Sequence, residues 1–307
     1  MYYSFPQVIS IVKELVRKLL VITFIIEDFF NYKQRLVVIC FHKTTKYLPS
    51  SKFDSHNLDF DSFKTLIVTL KKNKNINFID PKSLINLKDE NKAKIFKKYK
   101  VNLILSFDDC WEHTVDASKF LSHHGICGIF FVPMNHIGRD HYNFSSYDKE
   151  VFEKYGKCNE NLKPISFQSL NEIINLGMLV QPHGHNHISL GNSSTNDMKE
   201  DIDKSILATK EKFGLETSFF CYPYGSRILG DYTDDVINHL QTHGVQYAFT
   251  TDMGFNNIDN FNKNNLSLKR IPAMELKSDI AINSYYSGSI FLLKVLKKFY
   301  QELRKLL

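Results

Sequence analysis

Apolar and polar positions alternate along this chain in blocks that predict strands and helices in turn. Val101, Leu103, Ile104, Leu105 and Phe107, broken by Asn102 and Ser106, have the length and composition of a buried strand. The run stops at two adjacent carboxylates, Asp108 and Asp109, which no apolar core accepts unpaired. An amphipathic helix follows, then His123-His124-Gly125, where histidine and glycine suit a helix C-terminus, then a second strand within GICGIFFV. Further on, Ser166 is a candidate N-cap, Gly177 a helix stop, and Met178-Leu179-Val180 a short strand that delivers His183. The stretch Asn192–Asp201 reads as a turn and a helix start. Strands and helices in alternation, with polar residues at strand C-termini, are how α/β barrels build sites.

The chemistry lies at two of those strand ends. In His183-Gly184-His185-Asn186-His187 the i,i+4 spacing can turn two imidazoles toward a shared cation, and an aspartate would complete an open zinc site. Each half also has an ordinary reading. Two adjacent aspartates can be a helix cap or a turn, and a His-x-x-x-His can be two solvated side chains. Their order and flanking elements favour the joint reading.

With these residues in view the chain resembles the polysaccharide deacetylases of the NodB-homology type, carbohydrate esterase family 4. Ser106-Phe107-Asp108-Asp109-Cys110 is similar to the family's Thr-Phe-Asp-Asp-Gly, and His183 to His187 to its His-Ser/Thr-x-x-His, with Gly184 in place of the hydroxyl residue. Phe220-Cys221-Tyr222-Pro223-Tyr224-Gly225 is similar to a third motif, with Cys221 where many members carry arginine. LVVICFHKT resembles the first barrel strand and LKRIPA the last, so the likeness runs over roughly residues 36–275. It implies a distorted (β/α) barrel over 36–276, between a helical extension at 1–35 and a basic amphipathic helix at 277–307. It also implies a divalent metal, most often zinc, held by Asp109, His183 and His187, with Asp108 as general base. The Tyr224 backbone N–H would stabilise the oxyanion, and Tyr222 and Pro223 would lie on the substrate side. Trp111, directly after the acidic motif, can either stack on a sugar face or pack in the core. Where many members carry a Leu-x-His general acid, this chain has Leu268-Lys269-Arg270. Arg270 is then expected to tune the site, and His185, His239 and His243 are the histidines to test as proton donors.

Composition narrows the reading. A chain of 307 residues with 43% hydrophobic content suits one barrel plus extensions. Five scattered cysteines without CxxC spacing indicate no disulfide framework, which favours a reducing, cytoplasmic compartment. The N-terminal stripe Val8, Val12, Leu15, Leu19 predicts a helix, and the apolar run Leu19–Ile26 is too short to span a bilayer. Near the C-terminus Leu292, Leu296, Phe299, Leu303 and Leu306 form a stripe flanked by Lys294, Lys297, Lys298, Arg304 and Lys305 against a lone Glu302. Residues 290–307 are thus expected either to contact an anionic membrane surface or to dock on the barrel. Most of the formal +6 charge sits there, leaving a nearly neutral barrel with no nucleic-acid motif. The expected activity is removal of an N-acetyl group from an amino sugar in a glycan or lipid-linked precursor. The alternatives are a deformylase or other deacylase of an amino sugar, or a carbohydrate-binding protein that kept the metal site without catalysis.

Overall fold

Seven strands run parallel in the order β5-β4-β3-β1-β9-β7-β6. In the computed structural model they are β1 (Arg35–Phe41), β3 (Val101–Phe107), β4 (Ile129–Val132), β5 (Leu179–Pro182), β6 (Phe219–Cys221), β7 (Tyr247–Met253) and β9 (Leu268–Pro272). The structure describes residues 35–45, 58–88, 91, 95–96, 101–142, 163–258 and 265–276. All of these but 275 and 276 belong to one compact unit, Gln34–Met274. The helices expected at both ends of the chain lie outside the described residues.

β3 is buried along its whole length, as its apolar run requires, and it pairs with β1 from Arg35↔Val101 to Phe41↔Phe107. Asn102, the first interruption in that run, accepts a hydrogen bond from Asn77 on the short neighbouring strand β2 (Ile76–Phe78) at 3.0 Å. A two-residue strand, β8 (Asn256–Asn257), lies antiparallel to β1.

Side chains alternate across the pleat. Leu36, Val38, Ile104, Ile129, Phe131, Leu179, Phe219, Cys221, Phe249 and Leu268 form one buried cluster to which all seven strands contribute, the packed interior of a nearly closed (β/α) barrel. The intervening residues face helices. Phe41 and Phe107 stack at 4.9 Å and meet Phe63 of α1 (Phe60–Lys72) edge-on. Phe220 and Ala248 pack with Ile202 of α4 (Thr195–Phe213) and Val236 and Leu240 of α5 (Asp234–Thr242). Between these helices in sequence come α2 (Thr114–His123) and α3 (Phe167–Asn175). Ser166 caps α3 by accepting from the Ser169 N–H, and Gly177 ends the segment at φ +85°, both where the sequence predicts them.

Among the described residues no ladder joins β5 to β6, so the sheet has one seam. The Gln181 side chain bridges it. Its Oε1 accepts from the backbone N–H of Ser218 (3.0 Å) and Phe219 (2.9 Å), and its Nε2 donates to the Glu216 carbonyl (3.1 Å). Buried edge groups that would otherwise lack partners are satisfied in this way.

Candidate active site

The strand C-termini gather the polar residues singled out above. β3 runs directly into Asp108 and Asp109, and Asp109 and Cys110 both adopt left-handed backbone, at φ 67° and 57°. Of five described non-glycine residues with positive φ, four are Asp109, Cys110, His187 and Tyr224. Such conformations cost on the order of 1–3 kcal/mol each and persist where the surroundings enforce them. Here Tyr142 enforces the first turn, its hydroxyl donating to the carbonyls of both Asp109 and Cys110.

The second turn is set by α4. Asp201 accepts from the backbone N–H of His185 (2.7 Å) and Asn186 (2.8 Å), folding the loop so that His183 and His187 face one another. Gly184 stands at φ 72°, and a Cβ there would lie 2.9 Å from Asp201 Oδ1 and 3.1 Å from Pro223. That close approach explains a glycine where the family motif has a hydroxyl residue.

Asp109 Oδ1 lies 3.4 Å from His187 Nε2 and 3.7 Å from His183 Nε2. Three donors bound to zinc at about 2.0–2.2 Å in tetrahedral geometry stand about 3.3–3.6 Å apart, so the set fits a divalent cation. The tautomer fits as well. His183 Nδ1 lies 2.9 Å from the Cys221 carbonyl, a bond that puts the proton on Nδ1 and leaves the Nε2 lone pair facing Asp109. Burial lowers the pKa of both histidines, that of His187 strongly with His183 adding to the effect, so the rings are held in the neutral form that ligates.

Asp108 is buried behind this cluster. Arg270, also buried, grips it with two bonds of 2.7 Å, Nη1 to Oδ1 and Nη2 to Oδ2. Arg270 Nε in turn donates to the Thr250 carbonyl at 2.7 Å. Burial, the largest influence, pushes the Asp108 carboxyl upward. The Arg270 guanidinium and the histidines His183 and His42 outweigh it, so the group stays well below the usual carboxylate range. Cys40 and Cys221 place thiols 3.5 and 3.6 Å from Asp108 Oδ2. Burial raises both thiol pKa values and leaves them protonated donors rather than nucleophiles. The arginine missing at position 221 is thus replaced from the opposite side by Arg270 of β9.

Trp111 takes the packing alternative: it is 1% exposed, beyond the left-handed turn at Asp109 and Cys110. Its ring packs on Tyr142 and under the Lys43 ammonium. Tyr222, expected on the substrate side, is instead fully buried among Val236 and Leu240 of α5, its hydroxyl donating to the Leu266 carbonyl. Pro223 is buried beside Gly184. Tyr224 is about half exposed, with its ring edge-on to His187 at 4.9 Å.

The histidines separate equally clearly. His239 and His243 bind Asp203 on the outer helices, and the His185 backbone serves the loop. His42, one residue past β1, lies 3.8 Å from Asp108 Oδ2 through Nε2 and is 21% exposed, at the open end of the site. The strand pairing places it there: β1 ends at Phe41, level with Phe107, so His42 follows its strand as Asp108 follows β3. A surface pocket of about 490 Å³, lined by His136, Gly138, Arg139, Asp140 and His141, lies on the segment whose residues Met134 and Asn135 bond the loop carbonyls of Gly184 and His185.

Residues 97–248 match the family model for polysaccharide deacetylase. The matched segment, just under half of the chain, is similar to the polysaccharide deacetylases, hydrolases that act on N-acetyl amide bonds and are generally metal-dependent. Solved structures agree on the fold. IcaB from Ammonifex degensii superposes with a TM-score of 0.61 at 20% identity, over 83% of this chain and 97% of that one. The Streptococcus pyogenes deacetylase PplD, solved with acetate, gives 0.57 at 18% identity over 78% and 92%. A de-N-acetylase from Aggregatibacter actinomycetemcomitans gives 0.57 at 13% identity over 78% and 94%. Comparison with curated proteins returns no match.

Proposed function

We propose that this chain is a zinc-dependent hydrolase that removes N-acetyl groups from amino sugars of a surface glycan or its lipid-linked precursor. The observation that carries the reading is the convergence of Asp109, His183 and His187, with Asp109 Oδ1 3.4 and 3.7 Å from the two Nε2 atoms and an ionised Asp108 set beside them. A divalent cation held by Asp109, His183 and His187 would polarise the acyl carbonyl and acidify a water molecule. Asp108 would accept the attacking water's proton at Oδ2, the oxygen nearest His183 and His42. Arg270 keeps the carboxylate charged and fixed in direction, which makes it a positioning residue. The Tyr224 backbone N–H, in a left-handed turn beside His187, donates to the oxygen where charge develops. His42 delivers a proton to the departing amine, the role for which His239 and His243 are too far from the cluster.

Arg139, with His136 and His141, offers a polar flank for a glycan. Among the described residues no helix is long and apolar enough to cross a membrane. The basic stripe of residues 290–307 supports contact with an anionic leaflet, where a lipid-linked substrate would be met.

The test is release of acetate and free amine from N-acetylhexosamine oligosaccharides, with metal content measured alongside. Asp108→Asn should keep the metal and lose turnover, while His183→Ala should lose both. Equal metal loss in the two variants refutes the division of labour.

A further inference from the structure

A second cluster of ligating atoms stands on the outside of the barrel. His239 and His243 are four residues apart at the C-terminal end of α5, so their imidazoles share one helix face. Both Nε2 atoms point at the same oxygen, Asp203 Oδ1 on α4, each at 2.7 Å. The rings stand 5.0 Å apart at 79°, and the three donor atoms lie within 4.8 Å of one another. None of the three residues takes part in the deacetylase site.

We propose that Asp203, His239 and His243 form a second divalent-cation site that clips α4 to α5. Two imidazole nitrogens and one carboxylate oxygen suit Zn²⁺, Co²⁺ or Ni²⁺ and not the oxygen-seeking Ca²⁺ or Mg²⁺. Without a cation, both rings must carry their proton on Nε2 and share one acceptor. With one, each Nε2 offers a lone pair, and the donors need only separate to about 3.3 Å. Asp203 is 51% exposed and His243 31%, so both have room for that adjustment, while His239 at 16% is the fixed member. The remaining coordination positions face solvent and take water. Because α4 also carries Asp201, which holds the His185–Asn186 loop, the clip steadies the helix behind the catalytic loop without touching it.

The experiment uses the full chain, stripped with chelator and titrated with Zn²⁺, reading bound metal and melting temperature. The parent should bind one equivalent more than His239→Ala/His243→Ala, and that variant should retain turnover at saturating metal. His183→Ala/His187→Ala, emptied at the catalytic site, should still bind zinc and melt higher with it, and adding Asp203→Asn should abolish both effects. Asp203→Asn is also the variant to read if the double alanine does not fold, since the amide oxygen can still accept from the histidines. Equal zinc content in the parent and the outer-site variants, or no zinc-dependent rise in melting temperature in His183→Ala/His187→Ala, overturns the proposal and leaves only a hydrogen-bonded clamp.

Discussion

Replacing Arg270 with methionine removes the cation from a buried pair while roughly keeping the volume of its stem. Asp108 and Arg270 have side chains 1% and 2% exposed and share two bonds of 2.7 Å. The substitution leaves a carboxylate in the interior without its partner, and the Thr250 carbonyl without its donor. Breaking one side of a buried pair costs about 3–5 kcal/mol, against at most about 1 kcal/mol for an exposed one. Urea unfolding can be followed by the single tryptophan, Trp111, which is buried three residues from Asp108.

The pH dependence gives the sign. In the parent the folded Asp108 pKa lies below its unfolded value of about 3.9. Its contribution is therefore complete above that value and lost as pH falls through the folded one. In Arg270→Met burial dominates and raises the folded pKa, so the variant regains stability as acid protonates the carboxyl. The gap between parent and variant should be widest near neutral pH and narrow toward pH 4. Turnover should fall at pH 7 and recover in part toward alkaline pH. Asp108→Leu/Arg270→Met, with both charges gone, should recover most of the stability and none of the turnover. A gap under about 1 kcal/mol, or one that widens in acid, would refute this account of the pair.

Further outcomes follow from the same geometry. His42→Ala should lower kcat by about 10²–10⁴-fold with metal retained, whereas His239→Ala and His243→Ala should leave kcat unchanged; the reverse pattern would move the proton donor to the outer helices. Gly184→Ala forces a Cβ to within 2.9 Å of Asp201 Oδ1 at φ 72°, so it should cost about 1–2 kcal/mol and weaken metal binding; unchanged metal affinity would show that the loop yields freely. A chain ending near Ser289 should deacetylate a soluble oligosaccharide normally but fail to sediment with anionic vesicles. Equal sedimentation of the shortened and full chains would remove the membrane role of residues 290–307.

Local signals were legible where local physics decides. The β3 run, its acidic stop, the Ser166 cap and the Gly177 stop each depend on a few neighbouring residues, and they appear in the structure as read. The convergence of Asp109, His183 and His187 was legible for a related reason, since both halves sit at strand ends that a barrel brings to one face. What was hidden depends on pairing across the barrel. The Asp108–Arg270 contact spans 162 positions, and its geometry follows from the order β3-β1-β9, which periodicity does not specify. His42 becomes visible only through the β1–β3 register. Trp111 and Tyr222 look like ligand aromatics because composition says nothing of direction. A turn of two left-handed residues sends one inward, and the strand pleat sends the other toward α5.

The seam between β5 and β6 makes the barrel a split hoop, and its clasp lies directly beneath the chemistry. Gln181 fastens the lower end, and two residues on, His183 fastens the upper end through the Cys221 carbonyl. In the proposed metal site His183 would thus be both ligand and latch. A cation that binds only when the latch is shut holds the hoop closed by mass action, about 2.7 kcal/mol at a hundredfold excess over its dissociation constant. Amide exchange should therefore slow on metal loading chiefly at Tyr222 and along the edge of β6, with the β3–β1 centre unchanged. If the proposed cation binds there, it is also a hinge pin, and the barrel's rigidity would track the metal supply of its surroundings.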